Sequence, residues 1–302
     1  MKITAVVVTN NRLSDLKVCI NALHSQTYPL ERIIVVNNGS IDGTFEWLKL
    51  QPEIEALHQT NLGSAGGQHS GISKAYELGA DFVFSLDDDC NPARDCLERL
   101  VAKYRELNDF ENWVLTSYTR DPDTNQTGPL MQVLPGVPAP PTKVYFNECE
   151  LPISAKQNQL FENWGHFFLG VLIPRPVLSK VGYPDTRYFI RGEDYEYLLR
   201  CLRAARVGVV LNSVMWHPMK VDAKDKTTLL DWKLYFQLRN QLYINRKYFP
   251  SIRNSVVSRF LRLISSLLQG VFLGKGVDRL EILAYLDAIM GRFDRPLLAL
   301  KK

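Results

Sequence analysis

The chain has 302 residues, which is enough for one large α/β domain with a smaller attached element or for two modest domains. Hydrophobic residues make up 46% of the chain and charged residues 23%, and this composition excludes global disorder. The formal net charge of +4 is small for this length, so we expect no nucleic-acid partner on the basis of charge.

Strand patterns alternate with helical patterns over the first 90 residues. Ile3–Thr9 is a continuous β-branched run, which is typical of a strand buried on both faces. The predicted strands are 3–9, 32–36, 54–58 and 81–86, and the predicted helices are 13–23, 42–50 and 66–78. This alternation predicts an α/β fold with a largely parallel sheet and helices on both faces. Ligands of such sheets bind at the carboxyl ends of the strands.

The remainder of the chain is first irregular and then helical. Residues 121–152 are rich in proline and glycine, which predicts an irregular excursion over the ligand-binding face. After that segment we predict a strand-like stretch at 187–190, a helix at 195–204, a strand at 207–211, and helices at 229–248, 256–273 and 279–292. The predicted domains are 1–225, with halves 1–120 and 121–225, and a helical region 226–302.

Cysteine usage and the N-terminal sequence both bear on the compartment. Five cysteines are scattered without a CxxC pair or zinc-finger spacing, which fits free thiols in a reducing compartment. The sequence MKITAVVVTNNR has neither the apolar run nor the cleavage site of a signal peptide. The chain also has no run of about 18 uncharged apolar residues, so we predict no membrane-spanning helix. We therefore expect a cytoplasmic protein, with peripheral contact to the inner face of the cell membrane left open.

Three adjacent carboxylates, Asp87, Asp88 and Asp89, directly follow a predicted strand. They repel one another unless a cation neutralises them, and a hard divalent ion such as Mg²⁺ or Mn²⁺ would bridge them to a diphosphate. The alternative is a solvated acidic turn that caps a following helix, for which Asn91-Pro92 is a favourable start.

A second acidic cluster, RGEDYEY, covers residues 191–197 and opens a predicted helix. A carboxylate there, such as Asp194, could take the proton from an attacking hydroxyl, or it could simply cap the helix. His217 lies 23 residues beyond Asp194 and is either a ligand of a Mn²⁺-type ion or a core residue packed beside Trp216.

The segment NLGSAGG, residues 61–67, joins a predicted strand to a helix. Small residues let the backbone approach a ligand closely, and a helix N-terminus favours an anion. The segment matches neither the dinucleotide fingerprint GxGxxG nor the Walker A pattern, so on its own it indicates no particular ligand.

The ordered set VVVTNNR, VVNNGSIDGT, NLGSAGG, LDDD, RGEDYEY and a downstream histidine resembles glycosyltransferase family 2, in particular its bacterial galactofuranosyl- and rhamnosyltransferase-like branch. The resemblance covers about residues 3–250 and implies a GT-A fold with a C-terminal helical extension. It also implies an inverting, metal-dependent hexosyltransferase that takes a nucleotide-sugar donor to a glycan or lipid-linked glycan acceptor in cell-surface polysaccharide synthesis, such as that of lipopolysaccharide O-antigen. The forms NLGxAGG and DDD are most like galactofuranosyltransferases, which favours UDP-galactofuranose as donor. The alternatives are a rhamnosyltransferase that uses dTDP-rhamnose and a non-catalytic nucleotide-sugar-binding module.

The resemblance implies a role for individual residues as well. The residues expected to contact the base and ribose are Thr9, Asn11, Arg12 and Asn38, and those expected near the rest of the donor are Asn61, Gly66, Gly67, Asp87 and Asp88. Asp87 and Asp89 match the DxD motif, and His217 matches the third ligand of a Mn²⁺ or Mg²⁺ ion. Asp194 matches the catalytic base. The residues assigned to the acceptor are Trp164, His166, Arg191 and Glu193. The family often has Asp where Asn37 or Asn38 stands, so the choice between uracil and thymine stays open.

The C-terminal helices carry two further features. Arg239-Asn240 interrupts an aromatic helix face and resembles a recurrent element of the same branch. Residues 252–275 place arginines among apolar neighbours, which predicts either a helix lying on an anionic membrane surface or a face buried in a neighbour or a homo-oligomer.

Overall fold

The structure is a computed structural model that describes residues 1–128, 130–132, 143–144, 151–218, 231–249, 264, 279–295 and 300. These residues form two compact units. The first unit comprises the described residues up to 186 together with 194–218. The second comprises 187–193 and the described residues from 231 onward.

Strands and helices alternate through the first half of the first unit, as the sequence predicts. The strands are β1 (Ile3–Thr9), β2 (Arg32–Asn38), β3 (Ile54–Gln59) and β4 (Phe82–Asp87), and the helices are α1 (Leu13–His24), α2 (Thr44–Leu48) and α3 (Gly63–Glu77). These four strands pair in parallel in the order β3-β2-β1-β4. All seven residues of β1 are buried, because it lies inside the sheet with helices covering both faces.

The second half of the first unit extends the same sheet but mixes strand directions. Its strands are β5 (Asn91–Pro92), β6 (Trp113–Arg120), β7 (Leu130–Gln132), β8 (Lys143–Val144), β9 (Leu160–Glu162), β10 (Trp164–Gly165), β11 (Leu169–Pro174) and β12 (Arg206–Trp216). Its helices are α4 (Cys96–Glu106), α5 (Ile153–Asn158), α6 (Arg175–Val181) and α7 (Glu193–Leu202), with α7 beginning in the second unit. In the described chain the main sheet has nine strands, with β11 antiparallel between β4 and β6, and β10, β7 and β8 form a separate three-stranded sheet. The α/β class is therefore confirmed, with a parallel first half and a mixed second half.

One predicted element, and one alternative considered for the acidic turn, are wrong. Asn91-Pro92 does not start a helix, because it pairs with Met215 and Trp216 of β12, and α4 begins only at Cys96. Residues 187–190 do not form a strand. A 3₁₀ helix, Thr186–Tyr188, is followed by Phe189 and Arg191 in the left-handed backbone region, with φ of 62° and 66°. Such φ values cannot extend into a pleated strand.

The second unit contains helices α8 (Asp231–Tyr248) and α9 (Arg279–Met290). Its apolar cluster is formed by buried residues of both helices, including Tyr235, Phe236 and Ala284. Within the described ranges, no helix combines the length and the apolar character that crossing a bilayer requires. The predicted helix 256–273 and the predicted membrane or oligomer segment 252–275 lie outside the described residues, apart from Ile264. Cys149 also lies outside them.

Candidate active site at the carboxyl ends of the strands

The polar residues after β1, β2 and β4 lie at one edge of the sheet. The register pairs Thr9 with Asn37 and Val8 with Asp87, so the loops that leave these three strands start side by side. Asn11, at φ 55°, ties two of the loops together. Its Oδ1 accepts from Ile41 N at 2.7 Å, and its own backbone N–H donates to Ser40 Oγ at 3.0 Å.

The side chain of Asn38 is buried at this edge of the sheet. It is 2% exposed, its Oδ1 accepts from Gln59 Nε2 at 2.8 Å and from Leu62 N at 3.0 Å, and its Nδ2 donates to Gly63 O at 3.0 Å. Asn61 lies beside it and is exposed, with its Oδ1 accepting from Gly63 N at 2.9 Å. In this structure Asn38 shapes the 61–63 loop from within, whereas Asn61 reaches the surface.

Gly66 and Gly67 lie within α3 rather than in a loop before it. A Cβ on Gly67 would approach Val8 Cγ1 to 2.4 Å, and a Cβ on Gly66 would approach Leu62 Cβ to 2.3 Å. Both residues are buried. Close packing of the helix on β1 and on its own first turn therefore accounts for these glycines without a ligand.

Arg12, Asp88 and Asp89 line a cavity of about 300 Å³, and His217 contacts Asp89. The Arg12 Nη1 donates to Asp88 Oδ1 at 3.2 Å and also contacts Asp89 Oδ2. The other carboxylate oxygen of Asp89, Oδ1, lies 3.4 Å from His217 Nε2. The cavity is lined by these first three residues together with Asp15, Val18, Cys19, Cys90, Asn91, Pro122, Trp216 and Pro218. The acidic turn thus faces a cleft and a histidine, and it does not cap a helix.

Burial and charge make the two carboxylates electrostatically different. Burial raises the pKa of Asp88 to about 6. Burial also acts to raise the pKa of Asp89, but hydrogen bonding and charge from His217, with the charge of Arg12, lower it to about 2. Asp89 is therefore a full anion at neutral pH, and it is the carboxylate that faces the imidazole.

The donor set at this cavity fits a divalent cation. Carboxylate oxygens and imidazole nitrogens are ligands that Mn²⁺-type ions accept, and Asp89 and His217 present one of each to the other. Within the ranges that the structure describes, no three His, Cys, Asp or Glu side chains form a group that could hold a metal ion by themselves. Asp89 and His217 would therefore supply two ligands, and the remaining positions would fall to diphosphate or water oxygens.

Asp87 is not part of the contact between Asp89 and His217 and has a different partner. Its Oδ1 accepts from Gln68 Nε2 at 3.2 Å, and the fully buried Gln68 also accepts from Ser85 Oγ at 2.6 Å. The predicted ligand role of Asp87 stays a prediction. Gln68 was not singled out from the sequence, although a glutamine on the buried face of α3 is a polar residue that requires a buried partner.

Asp194 is positioned by a different element. It lies in the first turn of α7, where its Oδ1 accepts from Tyr195 N at 2.8 Å, and it is partly exposed. Its neighbour Glu193 is 7% exposed, whereas Arg191 is exposed. The Asp194 carboxylate is therefore held at a helix start with solvent access, and its predicted role as general base stays a prediction.

Trp164 and His166 pack inside the first unit. The Trp164 ring stacks on Phe161 at 5.0 Å and is 8% exposed. His166 is 3% exposed, and its Nε2 donates to Ser117 O at 2.7 Å. These two residues support the sheet from within, and their predicted acceptor contacts stay predictions.

The burial of His166 predicts a pH-dependent contribution to stability. Burial lowers its pKa from 6.5 to about 4, so the unfolded state binds more protons than the folded state between those values. Stability from this group is complete above pH 6.5 and falls by roughly 2 kcal/mol as the pH drops to about 4.5. Urea unfolding should show this loss in the wild type. A smaller loss is expected in His166→Gln, which keeps a donor for Ser117 O, and equal losses in both proteins would contradict the assignment.

A larger cavity of about 810 Å³ shares Trp216 with the acidic cavity. Its lining combines aromatic, amide and cationic side chains: Tyr118, Arg120, Asn125, Leu151, Lys156, Gln159, Leu211, Asn212, Val214 and Trp216. Sequence patterns gave no indication of this cavity, because its lining comes from three separate segments, 118–125, 151–159 and 211–216.

The chain is similar in sequence to a known family and to proteins within it. Residues 4–170 match the sequence model of glycosyl transferase family 2. Galactofuranosyltransferase GlfT1 of Mycobacterium tuberculosis is 30% identical over 276 residues, covering 85% of this chain and 86% of that protein. GlfT1 of Mycolicibacterium smegmatis is 26% identical over 272 residues, covering 86% and 87%.

Two solved structures show the same fold. GalNAc-T7 with UDP, GalNAc and Mn²⁺ superposes with a TM-score of 0.59 at 14% identity, covering 84% of this chain and 50% of that one, so this chain spans about half its length. Staphylococcus aureus TarS 1–349 in complex with UDP superposes with a TM-score of 0.55 at 18% identity, covering 97% and 80%.

Proposed function

The chain belongs to glycosyltransferase family 2, and from this premise we propose that it transfers galactofuranose from UDP-galactofuranose to a glycan or lipid-linked glycan acceptor. The observation that carries the proposal is the convergence of Arg12, Asp88 and Asp89 on one cavity at the carboxyl ends of β1 and β4, with His217 Nε2 3.4 Å from Asp89 Oδ1. Both GlfT1 relatives match this chain over most of its length and bear the name galactofuranosyltransferase, which supports the donor sugar.

The proposed reaction is a single displacement at the anomeric carbon. Asp194 accepts the proton of the acceptor hydroxyl while the hydroxyl oxygen attacks the anomeric carbon from the face opposite the diphosphate. The new carbon–oxygen bond forms while the bond to the diphosphate oxygen breaks, so the anomeric configuration inverts and UDP leaves with the bonding electron pair. No covalent enzyme intermediate is required.

Positive charge at the cavity is proposed to stabilise the departing diphosphate. We propose that the guanidinium of Arg12, which contacts Asp88 and Asp89, turns to the departing diphosphate and stabilises its added negative charge. Asp89 and His217 would hold a Mn²⁺ or Mg²⁺ ion, which when bound supplies further stabilisation of that charge. Asp88, Thr9, Asn11 and Asn61 are proposed to contact the nucleotide or the donor sugar.

The place of action is part of the proposal. We place the enzyme in the cytoplasm, with peripheral contact to the inner membrane face through residues 252–275, where lipid-linked acceptors lie. The same segment in a homo-oligomer face is the alternative. The predicted division into a catalytic domain 1–225 and a helical region 226–302 is proposed in the same sense, although 187–193 group with the helical unit.

A thermal-shift panel tests the donor without needing an acceptor. With Mn²⁺ present, UDP at about 100 times its dissociation constant should stabilise the protein by roughly 2.7 kcal/mol, or about 5 °C, and GDP should not. UDP-galactofuranose should then outcompete UDP-galactopyranose. A larger shift with dTDP and dTDP-rhamnose would support a rhamnosyltransferase instead, and binding of UDP-galactofuranose without turnover on any acceptor fraction would support a non-catalytic module.

A further inference from the structure

The segment that leads into the proposed catalytic base has an unusual backbone. Phe189, Arg191 and Gly192 all have positive φ, at 62°, 66° and 95°. Two of the three are not glycine, and left-handed conformations of bulky residues persist only when the surroundings impose them. Helix α7 with Asp194 begins directly after this segment.

One side chain of α8 binds the carbonyls that this backbone turns inward. Asn240 is fully buried, and its Nδ2 lies 2.9 Å from Tyr188 O, 3.0 Å from Ile190 O and 2.6 Å from Arg191 O. An amide nitrogen has two hydrogens, so three carbonyls share two donors, and the nitrogen has no capacity left for another acceptor.

Arg239 completes the arrangement from the neighbouring position. It is also fully buried, and its Nη2 donates to Arg187 O at 3.2 Å and Tyr188 O at 3.3 Å. Its Nε and Nη2 donate to Asn240 Oδ1 at 2.9 and 2.8 Å, which fixes the orientation of the amide. With Oδ1 occupied by the guanidinium, the Nδ2 must point at the segment.

Helix α8 also packs against the same segment. A Cβ on Gly192 would lie 3.4 Å from both Asn240 Cβ and Ile244 Cδ1, so α8 lies directly against the segment just before Glu193 and Asp194. The guanidinium of Arg239 stacks over Phe236 and Phe293, at 4.8 and 4.7 Å from the ring centres, which holds it in place without an exposed partner.

We infer that Arg239 and Asn240 are positioning residues for the transfer reaction, in that they fix residues 187–192 and thereby the backbone from which Asp194 is presented. This inference rests on the proposed role of Asp194 as base. Loss of the Asn240 donors would remove a hydrogen bond from the carbonyls of Tyr188, Ile190 and Arg191 and would release the left-handed turns, with only Tyr188 O keeping a bond from Arg239. Asp194 would then lose its orientation toward the acceptor hydroxyl, whereas donor binding at Arg12 and Asp89 would be unaffected.

The test compares Asn240→Ala with Asn245→Ala in the full-length protein. Asn245 is a buried amide five residues further along α8, and its Oδ1 accepts from Gln241 Nε2 at 3.0 Å rather than from the segment. We expect Asn240→Ala to lower kcat by 10- to 100-fold with the UDP dissociation constant within about twofold of wild type, and Asn245→Ala to change neither. Should Asn240→Ala not fold, Asn240→Ser, which keeps one donor, is judged by the same criteria with a smaller expected loss.

A double variant separates positioning from a general structural effect. If Asn240 acts through Asp194, then adding Asn240→Ala to Asp194→Asn lowers the remaining activity by less than about twofold. A further 10-fold loss in that background, a kcat for Asn240→Ala equal to that of Asn245→Ala, or a parallel loss of UDP affinity would each overturn the inference. Asp194→Asn alone retaining its activity would overturn the base assignment as well, which distinguishes that failure from a failure confined to Asn240.

Discussion

Asp194→Asn is expected to lower kcat by about 10³-fold while leaving the affinity for UDP within about twofold of wild type. The asparagine has the same size, and its side-chain oxygen can still accept from Tyr195 N, so the start of α7 keeps its structure. What the amide cannot do is take a proton. A change in kcat without a change in UDP binding therefore isolates general-base chemistry from donor binding.

The matched control is Asp95→Asn. Asp95 immediately precedes helix α4 and pairs with the exposed Arg99 at 3.0 Å, so the substitution repeats the same chemical change at another helix start. It should leave turnover unchanged. A kcat for Asp194→Asn above a tenth of the wild-type value would remove Asp194 from the base role, and Glu193→Gln would then be the next variant to measure.

His217→Gln and Asp89→Asn are each expected to raise the Mn²⁺ concentration that gives half-maximal activity by at least 10- to 100-fold. The reason is the 3.4 Å approach of His217 Nε2 to Asp89 Oδ1, which would let a nitrogen and an oxygen bind the same ion. The measurement is initial rate against Mn²⁺ concentration at saturating donor.

His24→Gln is the control for the histidine substitution. His24 is an exposed residue at the end of α1, 3.8 Å from Glu53, and it is remote in sequence from the acidic turn. Its Mn²⁺ dependence should match the wild type. If His217→Gln and Asp89→Asn also followed the wild-type curve, the ion would have to bind elsewhere.

Local sequence patterns were sufficient for the first half of the fold. β1 begins and ends where predicted because its β-branched run is uninterrupted and both of its faces are buried. Helix α3 begins three residues before its predicted start, at Gly63, since small residues at 63–67 pack as helix rather than as a ligand loop. A buried strand can be recognised from its local sequence pattern, whereas a helix start rich in glycine cannot.

Residues 187–190 show why the site was harder to predict than the sheet. Their aromatic pattern favours a strand, but the backbone is set by Asn240 and Arg239, about 50 residues further along the chain. The contact of Arg12 with Asp88 and Asp89 is likewise separated by more than 70 residues. Such pairings depend on the assembled fold, and a single sequence carries no local sign of them.

Motif order nevertheless predicted one long-range contact of the candidate site. The prediction that the acidic turn and His217 belong together placed two segments more than 120 residues apart, and the structure has Asp89 facing that imidazole. The sequence did not reveal which carboxylate faces His217, because that depends on the turn after β4 and on Gln68 holding Asp87 aside.

Diffraction at the manganese absorption edge, from crystals grown with Mn²⁺ and UDP, tests the central claim most directly. The proposal predicts an anomalous peak within coordination distance of Asp89 and His217 and in contact with the phosphates of UDP. UDP bound with its phosphates away from these two side chains, and the manganese peak elsewhere on the protein, would contradict it.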